Sequence, residues 1–112
     1  MVFVLSSVTR GVPPKYMSMY TVVKYAQMGL MRAAAAEYAS THLMINAVSP
    51  GMIETQFLDE IAETIIEMNA AANPKKRNAK PDDILGAIEF LLSADSGFIA
   101  GADIPITAGG IG

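Results

Sequence analysis

Two short apolar runs limit what this chain can become. Val2-Phe3-Val4-Leu5 is continuous rather than alternating, and Leu43 to Val48 is apolar but for Asn46. Such runs fit strands buried on both faces, as in a parallel sheet. Between them, from about Met19 to Ala39, lies a Pro-free segment rich in Ala and other small residues, with Ser18 placed to cap it. Strands separated by a helix-length segment pair through a crossover, not a hairpin. The alternation continues downstream. Phe57, Leu58, Ile61, Ile65 and Met68 fall at helical spacing between Thr55 and about Ala72, opposite an acidic face. Pro81, followed by Asp82 and Asp83, opens another helix with Ile84, Leu85, Ile88, Leu91 and Leu92 on one side, ending near Ser93. Ala102 to Thr107 reads as a third strand, and Pro105, which cannot donate to a ladder, places it at a sheet edge. The pattern predicts an α/β fold with about three strands.

At 112 residues the chain is enough for one small domain. The absence of Cys excludes disulfides and thiolate metal sites and fits a cytoplasmic protein. A net charge of -3 argues against nucleic acid or an anionic membrane as the main partner. No apolar run reaches the ~18 residues of a spanning helix. The N-terminus has no basic region and turns polar at Ser6, unlike a signal peptide.

The chemistry concentrates between Ser7 and Lys24. Thr9 to Ser18 is a loop, broken by Gly11 and Pro13-Pro14, in which Arg10 and Lys15 read as solvated and Tyr16 and Met17 as possible substrate neighbours. Tyr20 and Lys24 then sit four apart on one face of the first helix, roughly 6 Å along its axis. A phenol has a pKa of about 10, and a nearby positive charge favours its ionised form. A phenol so placed can pass a proton to or from a substrate oxygen. Ser7, across the loop, offers a hydroxyl for the same oxygen. Tyr-x-x-x-Lys alone is a weak signal. A second corner strengthens it: Ser49-Pro50-Gly51 breaks the second strand, where ligands bind in open α/β sheets. His42, the only His, reads as solvated, and Asn73 to Lys80 as a basic, solvated linker.

Val2-Phe3-Val4-Leu5-Ser6-Ser7, the Tyr20/Lys24 pair and Asn46-Ala47-Val48-Ser49-Pro50-Gly51-Met52-Ile53-Glu54-Thr55 together resemble the short-chain dehydrogenase/reductase family, in particular its 3-oxoacyl-[acyl-carrier-protein] reductase-like members. The resemblance runs from Met1 to Gly110 and covers the second half of that family's domain. It implies the C-terminal segment of a doubly wound Rossmann-type sheet without the dinucleotide-binding half. It implies a catalytic set of Ser7, Tyr20 and Lys24. It also implies cofactor contacts from Tyr20, Lys24, Pro50, Gly51, Ile53 and Thr55, with NAD or NADP as cofactor. Ile53 would offer backbone to the nicotinamide carboxamide and Thr55 its hydroxyl. Residues 55–80 would form a substrate lid and basic linker. The substrate would be a small-molecule carbonyl or alcohol. Ala108 stands where the family usually has Asp, so tethering through a carboxylate is not expected there.

By the same resemblance a second copy packs on the Ala-rich helix. The Val2-to-Leu5 strand would lack a parallel neighbour on one side, and that open apolar edge, with the helix surface, predicts a homo-oligomer or association with a missing N-terminal half. The only early Gly, Gly11, lies in a Pro-rich loop and does not make a pyrophosphate-binding turn. The chain is therefore expected to be a fragment, inactive when isolated. A non-catalytic half-domain serving as an assembly module stands as the alternative. A member of the extended, sugar-nucleotide branch is a further one, disfavoured by the compact Pro50-to-Thr55 loop.

Overall fold

The computed structural model describes residues 1–54 and 61–110. Its elements follow the order β1 (Val2–Val4), α1 (Ser18–Glu37), β2 (Asn46–Pro50), α2 (Glu63–Ala72), α3 (Pro81–Leu92) and β3 (Asp103–Ile106). Short 3-10 turns stand at Ser7–Thr9 and Ala94–Ser96. The strands form one parallel sheet in the order β1-β2-β3, with Phe3 beside Ala47 and Val48 beside Ile104. The chain is α/β, as its pattern predicts, and Pro105 lies on an edge strand as its missing N–H requires.

Successive residues of β2 point to opposite faces, which builds two cores. Ala47 joins Leu5, Met31, Ala35 and Ile45 under α1. Val48 joins Ile84 and Leu91 under α3, with Val2, Ile104 and Ile106 against them. The strand order runs one way while α1 and α3 cover opposite faces. The two crossovers therefore have opposite hands, and one departs from the usual right-handed rule.

Several boundaries and burials differ from expectation. β1 is not buried throughout: Val2 and Phe3 are half-buried and Val4 is 49% exposed. Among the described residues it pairs only with β2, which leaves its other flank open, as expected. β2 begins at Asn46, not Leu43: Leu43 to Ile45 have no regular structure, and the Met1 ammonium donates to the Met44 carbonyl at 2.8 Å. Met17, not Ser18, holds the N-cap position of α1, without a side-chain cap. The sequence expects the sheet to cover one side of α1 and a second copy another; within this chain only Met31 and Ala35 are buried. The sheet covers one stripe, and Val22, Val23 and Leu30 face outward at 62%, 48% and 60% exposure. α2 is shorter than expected and buries no residue, with Ile65 and Met68 exposed. Thr55, Phe57 and Leu58, assigned from sequence to its first part, lie outside the described residues.

Two polar devices hold the connections. Asn46 is fully buried; its Nδ2 donates to the Ile99 carbonyl and its Oδ1 accepts from the Ala102 N–H, both at 2.9 Å. It pins the turn before β3 to the start of β2. At α3, Asp83 accepts the Lys80 N–H at 2.8 Å, as an acidic residue in the first helical turn can. Arg77 grips the same carboxylate through both terminal nitrogens, at 2.7 and 3.1 Å. The Arg77 hydrogen bonds, then the Lys80 N–H, hold the Asp83 carboxyl down at about 2, and Asp83 in turn raises Arg77.

Asn46→Ala should destabilise the fold by about 1–3 kcal/mol, since two partly buried backbone groups lose their partner. Urea denaturation reads this directly; an unchanged midpoint would refute the pinning role. The Asp83 carboxyl is depressed on folding, so its contribution is fully present above the unfolded value of 3.8 and is lost as pH falls toward about 2. Exposure to solvent makes the effect small. Acid titration followed by circular dichroism should show Asp83→Asn converging with the parent between those two values. Parallel curves over that window would sink the assignment.

Candidate active site

Parallel strands all end on the same side of the sheet, so the three segments that follow them meet there. Ser6 and Ser7 follow β1, Gly51 follows β2 and Thr107 follows β3, and all line one cleft of about 850 Å³. The first turns of α1 bring Tyr20 and Lys24 to the same cleft, and Pro50 and Ile53 join them. Six of the residues singled out from sequence thus share one site. The seventh, Thr55, lies outside the described residues.

Ser7 is buried, at 8% exposure, and sits in a closed turn. Ser6 Oγ accepts the Val8 N–H at 3.2 Å, and the Arg10 N–H donates to the Ser7 carbonyl at 2.9 Å. A methyl group built on Gly51 would stand 3.8 Å from Ser7 Oγ, so this hydroxyl faces the corner after β2. Tyr20 is 43% exposed at the cleft. The Lys24 ammonium lies 5.7 Å from the centre of the Tyr20 ring, within cation–π range, and donates to the Val4 carbonyl at 3.4 Å. It therefore sits over the ring and also reaches the open edge of β1.

Ile53 forms an isolated parallel bridge with Ala79. The Ala79 N–H donates to Met52 O at 3.0 Å, and the Glu54 N–H donates to Ala79 O at 2.8 Å. In a parallel bridge this leaves the N–H and C=O of Ile53 itself facing away from Ala79. A donor and an acceptor side by side match a primary carboxamide, so the residues present fit a nicotinamide ring.

Residues 73–80 are not only a solvated linker. Asn73, Lys75, Arg77 and Asn78 line the cleft. Asn73 Nδ2 donates to Thr107 O, and the buried Asn78 donates through Nδ2 to Ile66 O, each at 3.1 Å. These amides join α2 to the cleft wall. Nothing in their spacing marks them in the sequence, because Asn is also the ordinary composition of a loop. Arg10 is likewise not simply solvated, since it pairs with Asp103 at 3.4 Å. Met17 borders the cleft, whereas Tyr16 is fully exposed in the left-handed region at φ 65°. His42 is exposed. Among the described residues no group of acidic, His or Cys side chains is arranged to hold a metal, and no helix is long and apolar enough to cross a membrane.

The family model described as enoyl-(acyl carrier protein) reductase matches residues 1–110. Nodulation protein G of Azospirillum brasilense is 34% identical over 80% of this chain and 37% of its own length. The 3-oxoacyl-[acyl-carrier-protein] reductase MabA of Mycobacterium tuberculosis is 33% identical over 80% of this chain and 36% of its own. The ligand-free aldohexose dehydrogenase of Thermoplasma acidophilum superposes with a TM-score of 0.83 at 27% identity, over 96% of this chain and 46% of that one. The chain thus spans about two fifths of the length of the proteins it matches. With its motifs gathered in one cleft and its match running almost end to end, the chain belongs to the short-chain dehydrogenase/reductase family of oxidoreductases.

Proposed function

We propose that this chain forms the catalytic half of an NAD- or NADP-dependent oxidoreductase acting on a small carbonyl or secondary alcohol. One observation carries the reading: Ser7, Tyr20 and Lys24 line the same cleft as the Pro50–Gly51 corner and Ile53. A nicotinamide bound there supplies or accepts the hydride. The Tyr20 hydroxyl gives a proton to the substrate oxygen in reduction and takes it back in oxidation. The Ser7 hydroxyl, held by its closed turn, orients that oxygen. Lys24 places a positive charge beside the phenol and serves the nicotinamide ribose. The outward N–H and C=O of Ile53 receive the carboxamide, with Pro50 and Gly51 shaping the corner and Thr55 adding its hydroxyl. The dinucleotide's adenosine side would be held by residues outside this chain, so the isolated chain is inactive in this reading.

A second reading, assembly, is favoured by two surfaces. Among the described residues β1 pairs on one side only, and α1 turns Val22, Val23 and Leu30 outward. An open apolar edge invites another strand, and a smooth apolar helix face invites another helix. We propose a homo-oligomer or a complex with a separate N-terminal half. A cytoplasmic setting belongs to the same proposal.

In a polypeptide with a complete dinucleotide site, Tyr20→Phe should lower turnover by about 100-fold or more while cofactor affinity barely changes. Steady-state kinetics with NAD(P)H fluorescence titration tests both, and a variant that keeps most of its turnover removes Tyr20 from the mechanism. The chain by itself should associate and bind NAD(P)H weakly. Light scattering over a dilution series checks this; a dilution-stable monomer with micromolar NAD(P)H affinity contradicts it.

A further inference from the structure

We propose that Asp103 is the positioning residue that holds the Ser7 turn against the Gly51 corner, and so sets the gap between the substrate-orienting hydroxyl and the cofactor loop. The proposal rests on the role of Ser7 under Proposed function. Asp103 opens β3, far in sequence from both, and its side chain is only 8% exposed. Its two carboxylate oxygens hold two different segments of the chain. Oδ1 accepts the Ser49 hydroxyl at 2.6 Å, a short charge-assisted bond. Ser49 is fully buried and immediately precedes Pro50 and Gly51. Oδ2 meets Arg10 Nη2 at 3.4 Å, and the same nitrogen donates to the Asp103 carbonyl at 3.1 Å. Arg10 ends the Ser7 turn, its N–H bonded to the Ser7 carbonyl.

One carboxylate thus spans from the last residue of the serine turn to the last side chain before the corner. A third element reinforces it: Tyr25 Oη, one residue past Lys24 on α1, donates to the Thr9 carbonyl at 3.3 Å. A carboxylate this buried is costly to leave unpaired, so Arg10 and Ser49 cannot drift from it freely. Their joint restraint fits the position of Ser7 Oγ, 3.8 Å from where a β-carbon on Gly51 would stand. Errors of about 1 Å in such placement are enough to cost rate.

Amide hydrogen exchange by NMR on the whole chain tests this without requiring turnover. Asp103→Asn keeps the side-chain volume and removes the charge. Exchange at Thr9, Arg10 and Gly51 should speed up by about ten- to hundredfold, the scale of a lost hydrogen bond to a charged group. Leu5 and Met31, in the core under α1, should keep their rates. Unchanged rates at Thr9, Arg10 and Gly51 would overturn the proposal. So would an equal rise at Leu5 and Met31, which would mark a general loss of stability instead. If Asp103→Asn does not fold, Arg10→Gln alters the same pair from its more exposed side. The same five amides then decide the matter by the same criteria. Exchange reports geometry alone, so a failed Tyr20 test would refute the oxidoreductase reading and leave this coupling standing. The reverse result would refute the coupling alone.

Discussion

The hydrogen bonding of β2 to a parallel strand on each side is the interaction on which the molecule depends. All five residues from Asn46 to Pro50 are buried, so their backbone groups have to be satisfied within the sheet or by side chains. Pairing with β1 and β3 does this along the length of the strand. Asn46 completes the pairing at one end, where its carboxamide bonds the backbone before β3. At the other end the ladder gives way to Gly51, whose N–H still reaches Ile106 O at 3.3 Å. Because the strands share a direction, their exits converge, and the cleft is the space between those exits.

Much of this is legible in the sequence because it depends on pattern. Mostly apolar stretches mark the strands, and Pro105 marks an edge. The Pro81-Asp82-Asp83 start locates α3 to the residue. The Ser7, Tyr20 and Lys24 spacing, with the Pro50–Gly51 break, points to residues that the fold brings to one cleft. What is not legible depends on pairing across distance. Arg10 looks like any loop arginine until β3 supplies Asp103, 93 residues away. Asn73 and Asn78 look like turn residues until α2 and Thr107 come within reach. On α1 the stripe facing the sheet is buried within this chain, and Val22, Val23 and Leu30 are exposed.

Two arginine–carboxylate pairs show how context decides what the same chemistry does. Arg77 and Asp83 are six residues apart, bidentate and solvent-facing. Their pair staples the cleft wall to the start of α3 and is screened by water and salt. Asp103 is nearly covered and has longer, asymmetric contact with Arg10. Its worth lies less in attraction than in the cost of separating its partners from it. The first pair joins neighbours in the chain, and the second joins segments that meet only when the sheet is complete.

The central place of β2 also bears on how the chain reaches this state. Its partners are remote on both sides: Val2 pairs with Asn46, 44 positions on, and Ala47 with Asp103, 56 positions on. No hairpin among the described residues offers a local start for the sheet. Each ladder forms only after a long loop has been closed, and closure has an entropic cost before any strand contact offsets it. α1, at 20 residues, is the longest element whose hydrogen bonds are all local. The helix that carries Tyr20 and Lys24 can therefore take shape before the sheet exists, while the Ser7 turn and the Gly51 corner come together only when β1 and β2 have paired.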